Sequence, residues 1–137
     1  MTDKFIILPE LQHILDSTKW KVTNAAEYYS SRFNCNVIVI YPFQTDLASI
    51  PRFAWLLIPR DDKNIVEPAV FHDWLYANSG RVFRVGNTNI PRKHCDRLLS
   101  DAMKLAGAQW WKRHLVYIAV RLGGSKPWNM YKARQVK

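Results

Sequence analysis

The chain has 137 residues, 48% hydrophobic and 23% charged, enough for one domain with a packed core and too few for two large ones. No uncharged apolar run approaches the roughly 18 residues of a membrane span, and no leader of the signal-peptide kind opens the chain, so secretion by that route is not expected. Twenty Lys and Arg against eleven Asp and Glu give a net charge of +9. Such a surplus favours phosphate-rich or otherwise acidic surfaces, but does not choose among nucleic acid, anionic lipid and an acidic protein.

In chain order, Phe5-Ile6-Ile7-Leu8 reads as a strand-like lead-in and Leu11 to Leu15 as one helical turn. Trp20-Lys21-Val22-Thr23 alternates apolar and polar residues, as a half-buried strand does. Asn24 begins a turn, and Glu27-Tyr28-Tyr29-Ser30 forms a second short strand. The clearest strand is Val37-Ile38-Val39-Ile40-Tyr41, a run of strand formers stopped by Pro42. Together these segments predict a small antiparallel sheet in the first third.

The remainder reads as helix. Pro68 suits the first turn of a helix, with Glu67 near its positive end, and that helix runs through Tyr76 to a stop near Ser79-Gly80. A polar loop leads to Ile90. Pro91 or Arg92 then opens a second helix, whose Cys95, Leu98, Leu99, Ala102, Met103, Leu105 and Ala106 recur at spacings of three and four before Gly107. A third helix carries Trp110, Trp111, His114, Leu115, Tyr117, Ile118 and Leu122, and Gly123-Gly124 closes it. From Lys112 to Lys137 there are seven basic residues and no acid, expected as a solvated helix face with a frayed basic end. The predicted class is α+β: one domain over 1–137, mainly strands over 1–45, mainly helical over 46–124, with a basic C-terminal tail over 125–137. Cys35 and Cys95 lack the partners that a disulfide framework or zinc knuckle needs, and read as reduced, buried thiols of an intracellular protein.

Three segments carry candidate chemistry. In Phe43 to Arg52, Asp46 and Ser49 have the spacing of a helix cap and its partner. The alternative is that Asp46 leaves the sheet aimed at a site, with Arg52 as counter-charge or anion clamp. In His72-Asp73-Trp74-Leu75-Tyr76, His72 and Tyr76 share a helix face and Asp73 looks to the neighbouring side. An acid between Phe71 and Trp74 needs a partner, because an unpaired buried charge costs several kcal/mol. Asp96 borders the apolar stripe of the second helix and would approach His72 if the two helices pack antiparallel. A carboxylate on one ring nitrogen fixes the tautomer and leaves the other nitrogen as a general base. Asp73 would then hold a divalent cation or orient water. The competing reading is a buried His-Asp pair that pins two helices together.

His72-Asp73-x-x-Tyr76 followed by Asp96 on the next helix resembles the catalytic pattern of the secreted and viral phospholipases of the A-two class. That resemblance implies His72 as general base, Asp73 as a calcium ligand, Asp96 as the residue that orients His72, and Tyr76 as support. A second resemblance spans most of the chain. Trp20-Lys21-Val22, Thr45-Asp46-Leu47-Ala48-Ser49-Ile50-Pro51-Arg52, His72 to Tyr76, Asp96, Met103 and Tyr117 to Gly123 resemble a small phage-encoded domain family of unassigned function. It implies a bacteriophage or prophage origin, in the virion or the host cytoplasm.

These observations leave three expectations. One is a small hydrolase of a bacterial envelope component, with His72, Asp96 and Asp46 catalytic, a divalent cation such as calcium on Asp73, and Arg52, Tyr76 and Ser49 binding. The second is a virion, tail or neck assembly protein, whose aromatic, basic surface contacts other phage structural proteins while the His-Asp network braces the fold. The third is nucleic-acid binding through the basic end, for which no helix-turn-helix, zinc or RNA-reading motif speaks.

Overall fold

Alternation of apolar residues over Ala26–Ser30 and Cys35–Val39 turns every second side chain inward, and these two segments (β4 and β5) pair antiparallel with Tyr28 opposite Val37. The computed structural model describes every residue except Met1, Asp16, Thr18, Arg60, Asp61, Asn87, Val136 and Lys137. Lys4–Ile7 (β1) lies along the other edge of β4, completing a three-stranded sheet in the order β1-β4-β5. A second antiparallel sheet joins Leu11–His13 (β2), Trp20–Val22 (β3) and Phe43–Thr45 (β6) in that order. Leu11 to Leu15, expected as a helical turn, therefore begins as a strand: Leu11 faces Val22, and the ladder to β3 outweighs the local apolar spacing. The strand read most clearly from the sequence, Val37 to Tyr41, is also shifted, running Cys35–Val39 and leaving Ile40 and Tyr41 exposed outside it.

Five helices follow: Arg52–Trp55 (α1), Lys63–Ala77 (α2), Arg92–Ala106 (α3), Trp110–Gly123 (α4) and Ser125–Gln135 (α5). The fold is α+β, with the strands N-terminal to the helices. α2 starts earlier than Pro68 suggested. Asp62 caps it by accepting the Asn64 N–H (3.1 Å), and Pro68 sits inside the helix. The basic end is no frayed tail up to Gln135 but a helix, α5, which packs on α2. Its last part, Val136 and Lys137, lies outside the described residues.

α2 is the axis of the domain. Ile65, Val66, Ala69, Val70, Phe71 and Leu75 are all buried, and the helix touches β5, α3 and α5. Its polar residues His72 and Asp73 are thereby carried into the core. The two cysteines are free and buried beside this core, and burial pushes the Cys35 thiol up to about 11.

α2 ends in a left-handed turn in which Gly80 N–H donates to Leu75 O (2.7 Å) and Ser79 N–H to Tyr76 O (3.4 Å). Gly80 has φ +79°, and a Cβ there would lie 2.0 Å from Ile90 O, the chain that leads into α3. This turn sets the register in which α3 returns along α2. Gly80→Ala is expected to lower stability by about 2–4 kcal/mol, from backbone strain and the clash together, measured by urea denaturation followed by far-UV circular dichroism.

Candidate functional site

The segment between β6 and α1 is shaped by its own side chains. Thr45 Oγ1 accepts the Leu47 N–H (2.9 Å), the Asp46 carboxylate accepts the Ala48 N–H (3.0 Å), and Ile50 N–H closes on Leu47 O (3.2 Å). Leu47 sits at φ +61°, a left-handed conformation unfavourable for a branched side chain, and is held there by its complete burial. This tight turn directs Ser49 inward. Ser49 N–H donates to Asp73 Oδ1 (3.1 Å), and Thr45 Oγ1 donates to Asp73 Oδ2.

Ser49 Oγ lies 2.9 Å from His72 Nδ1, and His72 Nε2 lies 2.7 Å from Asp96 Oδ1. Tyr76 O–H donates to the same Asp96 oxygen at 2.6 Å, and Arg121 Nη1 to Asp96 Oδ2 at 2.6 Å. Arg92 Nη1 stands 3.5 Å from Asp96 Oδ2 and donates to Val120 O at 3.0 Å. As α2 runs from His72 to Tyr76, its partners on α3 run back from Asp96 to Arg92, so the two helices are antiparallel at the contact. The rings of His72 and Tyr76 are 4.3 Å apart, and Trp128 of α5 meets Tyr76 edge-on at 5.2 Å.

Donors and acceptors can be assigned along this chain. An ionised carboxylate only accepts, so Nε2 carries a hydrogen toward Asp96, and Nδ1 shares the second contact with the Ser49 hydroxyl. Burial by itself would raise the Asp96 pKa, but hydrogen bonds from His72, Tyr76 and Arg121 hold it below the ordinary carboxylate range. Asp73 goes the other way. Its burial dominates and pushes its pKa up, against the opposing bonds from Thr45 and Ser49. The Asp96 hydrogen bond pushes Arg121 up, and burial pushes the Tyr76 hydroxyl up.

Of the sequence-derived residues, Ser49, His72, Asp73, Tyr76 and Asp96 come together in one chain of hydrogen bonds, whereas Asp46 and Arg52 are placed differently. The side chain of Asp46 caps its own turn rather than a helix, since α1 begins after Pro51 without a side-chain cap. Arg52 is exposed at the start of α1. Thr45, Arg92 and Arg121 complete the network without having been singled out. Arg121 carried a signal: a lone cation in the apolar run from Leu115 to Leu122 needs an acid, and Asp96 supplies it. Both Asp73 oxygens are engaged by Thr45 and Ser49, and the described residues contain no group of three or more His, Cys, Asp or Glu arranged to hold a metal.

Chemically, Ser49, His72 and Asp96 stand in the order nucleophile, base, orienting acid. Ser49, His72 and Asp96 each have 0% exposure, and Asp73 has 1%. Residues 20–120, most of the chain, match the family model described as "Protein of unknown function (DUF1353)". No curated protein and no solved structure matches.

Two carboxylates with opposite shifts give opposite pH dependences. Asp96, depressed, contributes stability that is present above about pH 4, the unfolded value, and is lost as pH falls through its lower folded pKa. Asp73, raised, contributes most below that value, and its contribution is lost as pH rises through the folded pKa. Asp96→Asn is therefore expected to cost about 3–5 kcal/mol at neutral pH, because it unbalances the buried Arg121 and His72 contacts. It should also flatten the acid limb of the stability curve. Asp73→Asn should instead flatten the decline from about pH 4 toward neutrality. Urea midpoints measured from pH 3 to 8 check both.

Proposed function

The chain belongs to this DUF1353 family, and from that premise we propose that it is a bacteriophage- or prophage-encoded interaction protein of virion assembly, with the Ser49–His72–Asp96 network as its internal brace. The observation that carries this reading is the complete burial of the three side chains, with every ring nitrogen and both Asp96 oxygens engaged. A hydrolytic site needs its nucleophile within reach of substrate and water. A brace needs the reverse: a dry environment in which each polar group is satisfied.

The surface supports the same reading. α4 presents Trp111, Leu115, Ile118 and Leu122 at successive steps of four, three and four, and Leu122 is 76% exposed. α1 packs on α4, and exposed Phe53 within it and Leu56 and Leu57 just after it add further apolar surface, with Leu56 at 84%. Apolar side chains grouped on one face mark a protein contact more often than scattered ones do. Arg52, Lys112, Arg113 and Lys126 belong to the same three helices, α1, α4 and α5, in which no Asp or Glu occurs. The matching partner is another structural protein of the particle, apolar at the centre of the contact and acidic at its rim. The chain would act in the host cytoplasm during assembly or travel in the particle.

Mass spectrometry of purified particles, and of assembly intermediates from the same infected host, tests this. The chain is expected in one or the other. The Leu56→Asp, Ile118→Asp double variant should lose roughly tenfold or more of that association, with an unchanged melting temperature. Absence from both fractions overturns the reading.

A second reading, a small hydrolase of an anionic envelope component, is supported by one observation: the contact order Ser49 to His72 to Asp96. It requires the cover over Ser49 to open on substrate. If the purified protein cleaves an ester or peptidoglycan substrate, and Ser49→Ala removes roughly 10³-fold of that rate with the melting temperature kept, this reading replaces the first.

A further inference from the structure

A hollow of about 370 Å³ lies on another face, between the β4–β5 turn, the start of α3 and the middle of α4. Arg32, Phe33, Lys93, His94, Arg97 and Arg121 line it, and no lining residue is acidic. Its size falls in the range of small-ligand sites.

The cations are of two kinds. Arg32 and Arg121 are held from behind. Asp101 accepts from Arg32 Nε (2.8 Å) and Nη2 (3.2 Å), and Asp96 accepts from Arg121 Nη1 (2.6 Å). Each guanidinium has five N–H donors in a planar fork, so these contacts fix its orientation and leave donors for a ligand. Lys93 and Arg97 are exposed and, among the described residues, form no ion pair, so their charge is available to a ligand.

Placement on α3 strengthens the case. The first turn of α3 carries Arg92, Lys93 and His94 and no acid, and its N-cap Pro91 offers no side-chain cap. Cations at the positive end of a helix oppose the dipole, and a bound anion would offset that cost. The His94 ring stacks on Phe33 at 4.5 Å and 22°, giving the hollow a flat apolar wall beside its charges. Burial, with the charges of Lys93 and Arg84, holds the His94 pKa below its usual value, as expected in a cationic field.

We propose that this hollow binds the phosphate group of a small phosphorylated ligand, with Arg32 and Arg121 as preoriented donors and Lys93 and Arg97 as the neutralising charges. The organic part of the ligand would lie on the Phe33–His94 pair. This inference is independent of the assembly reading, since it uses neither the α1–α4 face nor the buried histidine.

Calorimetric titration of the full chain with inorganic phosphate, adenosine 5′-monophosphate and glycerol 3-phosphate tests it. One site per chain is expected for inorganic phosphate, with Kd at or below about 1 mM. Tighter binding of one organic phosphate would identify the source. The Lys93→Ala, Arg97→Ala double variant should weaken binding roughly tenfold or more, whereas Lys126→Ala, Lys132→Ala on α5 should leave it unchanged. In the unaltered protein, phosphate should raise the His94 midpoint read from its ring-proton shifts, a result that does not depend on any variant folding. No binding by about 10 mM, equal weakening by both double variants, or an unmoved His94 midpoint overturns the proposal.

Discussion

A carboxylate cannot remain ionised in a dry interior unless nearly every one of its lone pairs is answered, and Asp96 imposes that demand on this fold. Its oxygens collect Nε2–H of His72, the hydroxyl of Tyr76 and a guanidinium hydrogen of Arg121, with Arg92 standing close. Those donors come from α2 and α4 and the acid itself from α3, so satisfying one acid fixes three helices relative to one another. Through His72 the constraint reaches Ser49, and through Ser49 it reaches Asp73 and the end of β6. The β2-β3-β6 sheet and the helices are thus tied to a single polar seam through an otherwise apolar core.

The seam explains features that packing alone would not favour. Leu47 takes up a left-handed backbone because the turn from Thr45 to Ser49 must place Ser49 over Asp73. The α4–α5 junction carries Gly124 because a Cβ there would stand 2.6 Å from the Tyr76 hydroxyl and 2.9 Å from Arg92 Nη1. A completely paired network of this kind rigidifies and specifies one arrangement, whereas a partly paired one would cost more than an apolar core.

Arg121 is where interior and surface meet. Its guanidinium satisfies Asp96 within the core, while its side chain, 34% exposed, forms part of the wall of the cationic hollow. Arg32 repeats the arrangement through Asp101. The basic surplus itself is set by composition, twenty Lys and Arg against eleven Asp and Glu, and Asp96 and Asp101 each hold one guanidinium of it in a fixed orientation.

Alternation over Trp20 to Thr23, the run of strand formers from Val37 to Tyr41 and three-four spacing over Cys95 to Ala106 made the sheet-then-helix order legible in the sequence, because each pattern answers to local burial. The pairing of His72 with Asp96 was also legible, since an acid and an imidazole on adjoining apolar helices have few other ways to be satisfied. What the chain could not announce locally was any preference set by a distant partner. Leu11 to Leu15 looks helical until β3 offers a ladder, and Pro68 looks like a helix start until the Asp62 cap is placed before it. Tertiary structure alone decided that Asp46 caps a turn while Thr45 and Arg121 enter the network, and that Ser49 is sealed from solvent. Accessibility depends on what covers a residue, and the covering groups of a buried seam come from segments far apart in sequence.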